Sequence, residues 1–358
     1  MKVAIVGTGL IAGTHAQALG RIGQQLTMVV GSTEERARAF AENWGVAHAS
    51  KHFDDALAAD VDCLHICTPP HLHYAMVKQA LLAGKHVVCE KPLTLRGSEA
   101  KELDSLAREK GLLSAVNFNV RFYEACSQAR NLVASGQLGP LRLIHGSYLQ
   151  EFHMLPAEYS WRYNDAVSGK MRAVTEIGSH WIDLVRFWTG LEVEAVSATL
   201  GRFLPVRMLE DGVMNLPGHN GKPLLVNSED AAAVTLRLSE GVMGSMLLSE
   251  VSAGRVNSLS LEVDGDAGAV WWNSQNPGQL CRSMGKMKGE SRLTHAFSGG
   301  FPDTFITFFE KVYMALQCGD LGEKNEFATF CDGWRNAAVC DAIWESDQNA
   351  SAWTAVEG

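Results

Sequence analysis

The chain has 358 residues, 46% of them hydrophobic, enough for two domains with sizeable cores. Its formal net charge of −9 and the lack of any basic run argue against nucleic acid or an anionic membrane surface as partner. No apolar run approaches the length of a membrane span, so a small-molecule ligand is expected.

Strand-like sequence begins at Lys2-Val3-Ala4-Ile5-Val6, which leaves no room for a charged and an apolar leader segment, and a cytoplasmic location is the default expectation. Gly7-Thr8-Gly9-Leu10-Ile11-Ala12 follows and opens a helix, the GxGxxA form of a dinucleotide fingerprint in its required strand-turn-helix setting. Its glycines permit a tight turn and close backbone approach. A pyrophosphate would sit on the unpaired amides at the helix start, which places Gly7, Gly9, Leu10, Ile11 and Ala12 at the cofactor.

The second strand, Leu26 to Val30, should end at the adenosine ribose, where an NAD enzyme carries an acid. Here Gly31-Ser32-Thr33-Glu34-Glu35-Arg36 stands instead. Ser32, Thr33 and Arg36 offer hydroxyls and a guanidinium to a 2′-phosphate, so NADP(H) is favoured. NAD(H) stays open, since Glu34 or Glu35 could supply the carboxylate and Arg36 could be a solvated helix charge.

A strand over Val61–Cys67 leads into Thr68-Pro69-Pro70-His71-Leu72-His73 and an amphipathic helix to Ala83. Thr68 and Pro69 are expected to line the nicotinamide side of the cleft. His71 and His73 read as helix-start packing or hydrogen-bonding residues, with His73 also a cofactor-site candidate. The next strand ends in Cys89-Glu90-Lys91-Pro92, so Lys91 projects at the carboxyl edge of a parallel sheet, where open α/β sheets bind ligands. A lysine there needs an anionic partner or a polar cleft, and Glu90 could be that partner.

A helix over Gly97–Lys110 and a strand from Leu112 that runs into Asn117, Asn119 and Arg121 complete a doubly wound unit over 1–122, leaving 123–358 as a second domain. From Leu141 the pattern changes to strands without intervening helices (Leu141–Glu151, Val193–Leu204, Asp230–Leu238, Val242–Val251, Leu259–Val263), implying a large, mostly antiparallel sheet. Met208–Asn227, rich in glycine and proline, reads as a loop insertion. Apolar helices over Asp303–Gln317 and Ala328–Ser346 close the chain. The eight cysteines form no CxxC pair and no metal-ligand spacing, so they read as reduced thiols and no metal is expected.

The second domain carries one constellation, Thr175 to Arg186. On a helix, Glu176, His180 and Asp183 fall on one face, while Trp181, Leu184, Val185 and Trp188 mark the core stripe. An imidazole beside carboxylates suits general acid/base work, and it equally suits a structural histidine.

The segments GTGLIAGTH, TPPHLHY, GKHVVCEKP and EIGSHWIDL, in this order, resemble the Gfo/Idh/MocA oxidoreductases over nearly the whole chain. The resemblance implies an N-terminal Rossmann domain and a C-terminal α/β domain whose open sheet packs against another subunit, in a homodimer or homotetramer. It also implies that the Lys91-Pro92 bond can be cis. The family's catalytic lysine falls on Lys91 and its catalytic histidine on His180. Glu176 stands where the family's Asp-x-Gly-x-His has its aspartate, and Asp183 matches the downstream aspartate.

Tyr159-Ser160-Trp161-Arg162 and Ser168-Gly169-Lys170-Met171-Arg172-Ala173 resemble the subgroup acting on pyranosides, anhydrosugars and cyclitols. The resemblance implies hydride transfer between a nicotinamide and a secondary ring hydroxyl. His180 would remove the proton, Lys91 would stabilise the alkoxide, and Glu176 or Asp183 would orient His180. Substrate contacts would come from Trp161, Arg162, Lys170, Arg172, Asn119 and Arg121, with Lys170 and Arg172 equally readable as surface or supporting charges. A redox-assisted NAD-dependent glycosidase and a non-catalytic, dinucleotide-sensing binding protein are the alternatives on the same scaffold.

Overall fold

The computed structural model describes residues 1–285, 289–295, 298–320 and 326–357. It opens with β1 (Lys2–Val6), α1 (Leu10–Arg21), β2 (Gln25–Val30), α2 (Glu34–Trp44), β3 (His48–Ser50), α3 (Phe53–Ala58), β4 (Cys63–Ile66), α4 (His73–Leu82), β5 (His86–Cys89), α5 (Gly97–Lys110) and β6 (Ser114–Val116). The six strands pair in parallel in the order β3-β2-β1-β4-β5-β6. Val3 to Val6, Cys63 to Ile66 and Val87 to Cys89 are buried without a break, as parallel strands covered on both faces require. The order reverses between β1 and β4, which puts the ligand crevice at their carboxyl ends.

After α6 (Glu124–Ala134) come β7 (Leu141–Leu149), β8 (Ala157–Glu158), α7 (Asp165–Ser168), α8 (Ser179–Thr189), β9 (Val193–Gly201), β10 (Val206–Glu210), β11 (Val213–Asn215), β12 (Lys222–Leu225), β13 (Ala231–Leu238), β14 (Met243–Ser249), β15 (Ser258–Gly265), β16 (Gly268–Asn273), β17 (Gln279–Met284) and β18 (Ser291–Thr294). Two long helices, α9 (Phe301–Cys318) and α10 (Phe330–Gln348), and the short β19 (Thr354–Ala355) finish the chain. The nine-stranded sheet runs β18-β17-β16-β15-β7-β14-β13-β9-β19 and is antiparallel except where β14 meets β7. β13 alternates buried and exposed residues, the signature of a sheet covered on one face. Helix α8 lies on that covered face, where the Trp181 indole N–H donates to the Ser260 carbonyl at 3.0 Å.

One sequence expectation needs correction. Met208–Asn227 is not a loop: β10, β11 and β12 join β8 in a four-stranded sheet ordered β12-β10-β11-β8. Its hairpin turns at Asp211 (φ 48°) and Gly212 (φ 81°), with Glu210 opposite Val213, a two-residue Asp-Gly turn that matches the twist of paired strands. Tyr163, Met214 and Val226 form its small core. Packing also divides the chain. The packing separates Met1–Phe122 with Gly300–Ala337 from Tyr123–Gly299 with Ala338–Gly358, so the chain returns to the first unit after leaving it. The cause is the apolar face of α9, whose Phe305, Phe308, Phe309, Val312 and Tyr313 are buried in one cluster with Val3, Ile5, Ala12, Ala16 and Val88.

Candidate functional site

In the first unit the candidate cofactor residues gather at the carboxyl edge of the parallel sheet. Gly7 sits at φ +117°, and a Cβ there would stand 2.5 Å from the Cys67 carbonyl oxygen, so backbone and strand end leave room for glycine alone. Gly9 is different. No described atom lies within 4 Å of where its Cβ would be, so packing does not demand a glycine, and the open space suits a closely approaching phosphate. Gly9 also caps α1 without a side-chain hydrogen bond, which leaves the first-turn amides of Leu10, Ile11 and Ala12 without intrahelical acceptors. Leu10 is 89% exposed beside them. These residues fit a dinucleotide pyrophosphate.

At the end of β2, Thr33 caps α2 by accepting the Arg36 amide at 3.3 Å. The Arg36 guanidinium reaches the Ser32 hydroxyl at 3.5 Å, and both side chains are exposed. Glu34 is taken up by Arg38 at 3.1 Å. Thr68 and Pro69 are half-buried after β4. His73, read as a helix-start hydrogen-bonding residue and a cofactor-site candidate, is fully buried between two carbonyls, with Nδ1 at 2.8 Å from Pro92 O and Nε2 at 2.7 Å from Thr68 O. Burial lowers its pKa against the pull of those carbonyls, and the neutral ring has one N–H to share between them. It pins the Lys91-Pro92 turn to the Thr68 loop.

Lys91-Pro92 is cis, and Lys91 is half-buried at the end of β5. Its amide donates to Glu90 Oε2 at 3.3 Å. Glu90 Oε1 accepts from Asn117 Nδ2 at 2.5 Å and from His15 Nε2 at 2.9 Å. Burial pushes the Glu90 carboxyl up, but the bonds from His15 and Asn117 and the Lys91 charge outweigh it and hold the group below its ordinary value. Asn119 and Arg121, proposed as substrate contacts, are both buried in this unit. Asn119 donates to Thr304 Oγ1 at 2.8 Å, and Arg121 pairs with Asp332 at 3.4 Å.

In the second unit, Glu176, His180 and Asp183 lie on one helical run in which Val174–Gly178 winds as a wide π-turn before α8. Such turns occur as local features at functional sites. Gly178 allows close packing here, since a Cβ would meet Leu248 Cδ1 at 2.6 Å. His180 and Asp183 are buried. Glu176 accepts from Arg162 Nε at 3.2 Å, and the Arg162 guanidinium lies 4.4 Å over the Trp161 ring. Lys170 is exposed, 5.4 Å over the Trp344 ring.

Arg172, readable from sequence as a substrate contact or as a supporting charge, is fully buried and held by carboxylates. Its Nε donates to Glu250 at 2.6 Å, its Nη2 to Asp230 at 2.6 Å, and Arg207 Nη2 shares Asp230 at 2.7 Å. A buried guanidinium is tolerable only when so surrounded. Glu229 takes the backbone instead, accepting the amides of Arg172 (3.0 Å) and Val174 (2.8 Å) at the start of the helical run that carries His180. Burial pushes both Glu229 and Glu250 up to about 7, against the pull of amides and Arg172. Nearby, burial and the charges of Arg172, Arg162 and Arg207 push His153 down to about 3.

Reading the sequence for motifs missed His15, His65, Asn117 and Tyr313 in the first unit and Arg207, Glu229 and Glu250 in the second. The one local signal was the adjacent pair Glu229-Asp230 heading a strand, an unusual place for two acids to be buried.

A glycine cradle at the switch point of a 3-2-1-4-5-6 parallel sheet, with a lysine at the same edge, defines an NAD-binding oxidoreductase. A family profile described as "Oxidoreductase family, NAD-binding Rossmann fold" matches residues 1–118, and the "GFO/IDH/MocA C-terminal domain" matches residues 126–271. The chain belongs to the Gfo/Idh/MocA family of oxidoreductases. It is 25% identical to a levoglucosan dehydrogenase of Pseudarthrobacter phenanthrenivorans, over 97% of this chain and 96% of the relative. An uncharacterized oxidoreductase of Synechocystis sp. is 30% identical over 77% of this chain and 72% of that protein. A solved levoglucosan dehydrogenase in complex with NADH and levoglucosan superposes with a TM-score of 0.91 at 24% identity, covering 100% of this chain and 99% of that one, a likeness of fold.

Proposed function

We propose that the protein is an NAD(P)-dependent dehydrogenase that oxidises a secondary ring hydroxyl of a sugar, anhydrosugar, glycoside or cyclitol, and reduces the corresponding ketone. The observation that carries the reading is the pairing, on one sheet edge, of an open Gly9 cradle with a lysine whose neighbouring carboxylate is fixed on three sides. The similarity to a levoglucosan dehydrogenase supports a carbohydrate substrate.

Gly7, Gly9 and the first amides of α1 would hold the pyrophosphate, and Thr68 and Pro69 would border the nicotinamide. A bound nicotinamide would supply the hydride acceptor. His180 takes the hydroxyl proton as general base, and the Lys91 ammonium stabilises negative charge developing on the same oxygen. Glu176 holds Arg162 against Trp161, giving a flat cationic-aromatic platform suited to a sugar face. Ser32 and Arg36 favour NADP(H), because their hydroxyl and guanidinium lie within 3.5 Å of each other where a 2′-phosphate would end. The working form is a homodimer or homotetramer in the cytoplasm.

The test is nicotinamide absorbance on mixing the protein with NAD+ or NADP+ and a panel of anhydrosugars, glycosides and inositols. Reduction by a panel member that Lys91→Met abolishes, with dinucleotide affinity nearly unchanged, supports the reading. Undiminished turnover in Lys91→Met overturns it.

A further inference from the structure

In the layer where α1 and α9 pack on the parallel sheet lies a row of polar side chains that the proposed reaction leaves unused. His15, on α1 one turn beyond the fingerprint, and His65, on β4, are fully buried, with their Nδ1 atoms 2.9 Å apart. His15 Nε2 reaches Glu90 Oε1 at 2.9 Å, and His65 Nε2 reaches the buried Tyr313 hydroxyl at 2.8 Å. Phe309 meets both imidazoles edge-on at 4.8 Å, and Phe305 meets His15 at 5.7 Å. The row is buried and aromatic-walled, and it ends on the carboxylate next to Lys91.

With both rings neutral, one arrangement of protons satisfies all three contacts. An ionised Glu90 can only accept, so His15 carries its proton on Nε2 and presents a lone pair at Nδ1. His65 must then donate from Nδ1, and its Nε2 accepts from the Tyr313 O–H. Cys67 Sγ also lies 3.3 Å from His15 Nδ1, and burial together with the Glu90 charge keeps the thiol protonated, so its S–H competes with His65 for that lone pair. Burial holds His65 well below its ordinary pKa, as a neutral ring requires. Every bond points toward Glu90.

We propose that His15, His65 and Tyr313 are positioning residues that form a one-way hydrogen-bond chain fixing the Glu90 carboxylate, and through it the turn from which Lys91 acts. In a low-dielectric layer each link polarises the next, so the Tyr313 hydroxyl strengthens a bond two residues away from itself. Glu90 is thereby held on Oε1 from behind while Oε2 faces the Lys91 backbone. The inference rests on the role proposed for Lys91.

The experiment uses the full chain with its histidines labelled in 15N. Long-range nitrogen-proton spectra between pH 6 and 8 should show the Nε2–H tautomer at His15 and the Nδ1–H tautomer at His65. Tyr313→Phe keeps the ring and removes one hydroxyl. It should lower kcat several-fold while leaving dinucleotide affinity and KM for the sugar within twofold. His15→Gln, which keeps a donor for Glu90, should retain more kcat than His15→Leu. The opposite tautomer at either ring overturns the chain. Correct tautomers with an unchanged kcat in Tyr313→Phe, or with equal activity in the two His15 variants, overturn the positioning role. The tautomers are read without any sugar, so a wild-type protein that turns over no substrate exposes a failure of the dehydrogenase reading, separately from the chain.

Discussion

Arg36 shows what a single side chain decides in this protein. Its guanidinium is exposed and, among the described residues, hydrogen-bonds the Ser32 hydroxyl, so removing it disturbs no described core contact. Arg36→Ala should therefore raise KM for NADP+ by roughly 10- to 100-fold, the loss of one charge-assisted phosphate contact, and leave KM for NAD+ within about threefold. Steady-state kinetics with both dinucleotides check this, and an equal effect on the two would show that Arg36 does not meet a 2′-phosphate. The Gly-rich turn and the Glu90-Lys91-Pro92 segment were legible in the sequence, because their chemistry depends on residues adjacent in the chain. His15 was not. It reads as an ordinary helix residue until β4, β5 and α9 bring His65, Glu90 and Tyr313 to it from 50, 75 and, through His65, nearly 300 positions away. Arg172 is the converse case: a cation in a polar stretch looks accessible, and only folding reveals two carboxylates closing over its guanidinium.

At the level of elements, the π-turn and α8 are held from below by Glu229 and from the side by Leu248 against Gly178. Glu229 and Glu250 have folded pKa values of about 7, raised above the ordinary carboxyl value. A carboxyl raised on folding contributes its full share of stability below the unfolded value and loses it as pH climbs through the folded one. The pair thus costs the second unit on the order of a few kcal/mol between about pH 4.5 and pH 7. Glu229→Gln cannot ionise, so its melting temperature minus that of the wild type should rise from pH 5 to pH 8, even if the variant starts lower for want of an acceptor. Thermal scans across that range check the sign, and a flat difference would refute it. The regular strands were readable from alternation, as in β13 and β14. The small sheet of β8, β10, β11 and β12 was hidden, because glycine and proline spacing outweighed the Asp211-Gly212 hairpin signal.

For the whole molecule, the return of Gly300–Ala337 to the first unit carries the largest energetic consequence. The buried face of α9 contributes Phe305, Phe308, Phe309, Val312 and Tyr313, at roughly 1.5–3 kcal/mol each. That sum is comparable to the entire stability of a typical domain, about 5–15 kcal/mol. A fragment of residues 1–122 should accordingly fail to unfold cooperatively in circular dichroism, and adding residues 300–337 in trans or by fusion should restore a transition; a cooperative transition in 1–122 alone would refute this. No pattern within the first 122 residues announced the dependence, since the missing layer lies almost 180 residues further on.

The same return sets an order of events during synthesis. A ribosome adding about 5–20 residues per second has released β1 to β6 long before α9 exists, so the nascent sheet waits roughly 10–40 seconds with one face uncovered while the second unit is made. Over that interval Val3, Ile5 and Val88 are open to chaperones and to neighbouring chains, and the histidine row has neither its tyrosine nor its aromatic wall. The dinucleotide cradle is thus translated well before the helix that completes its layer.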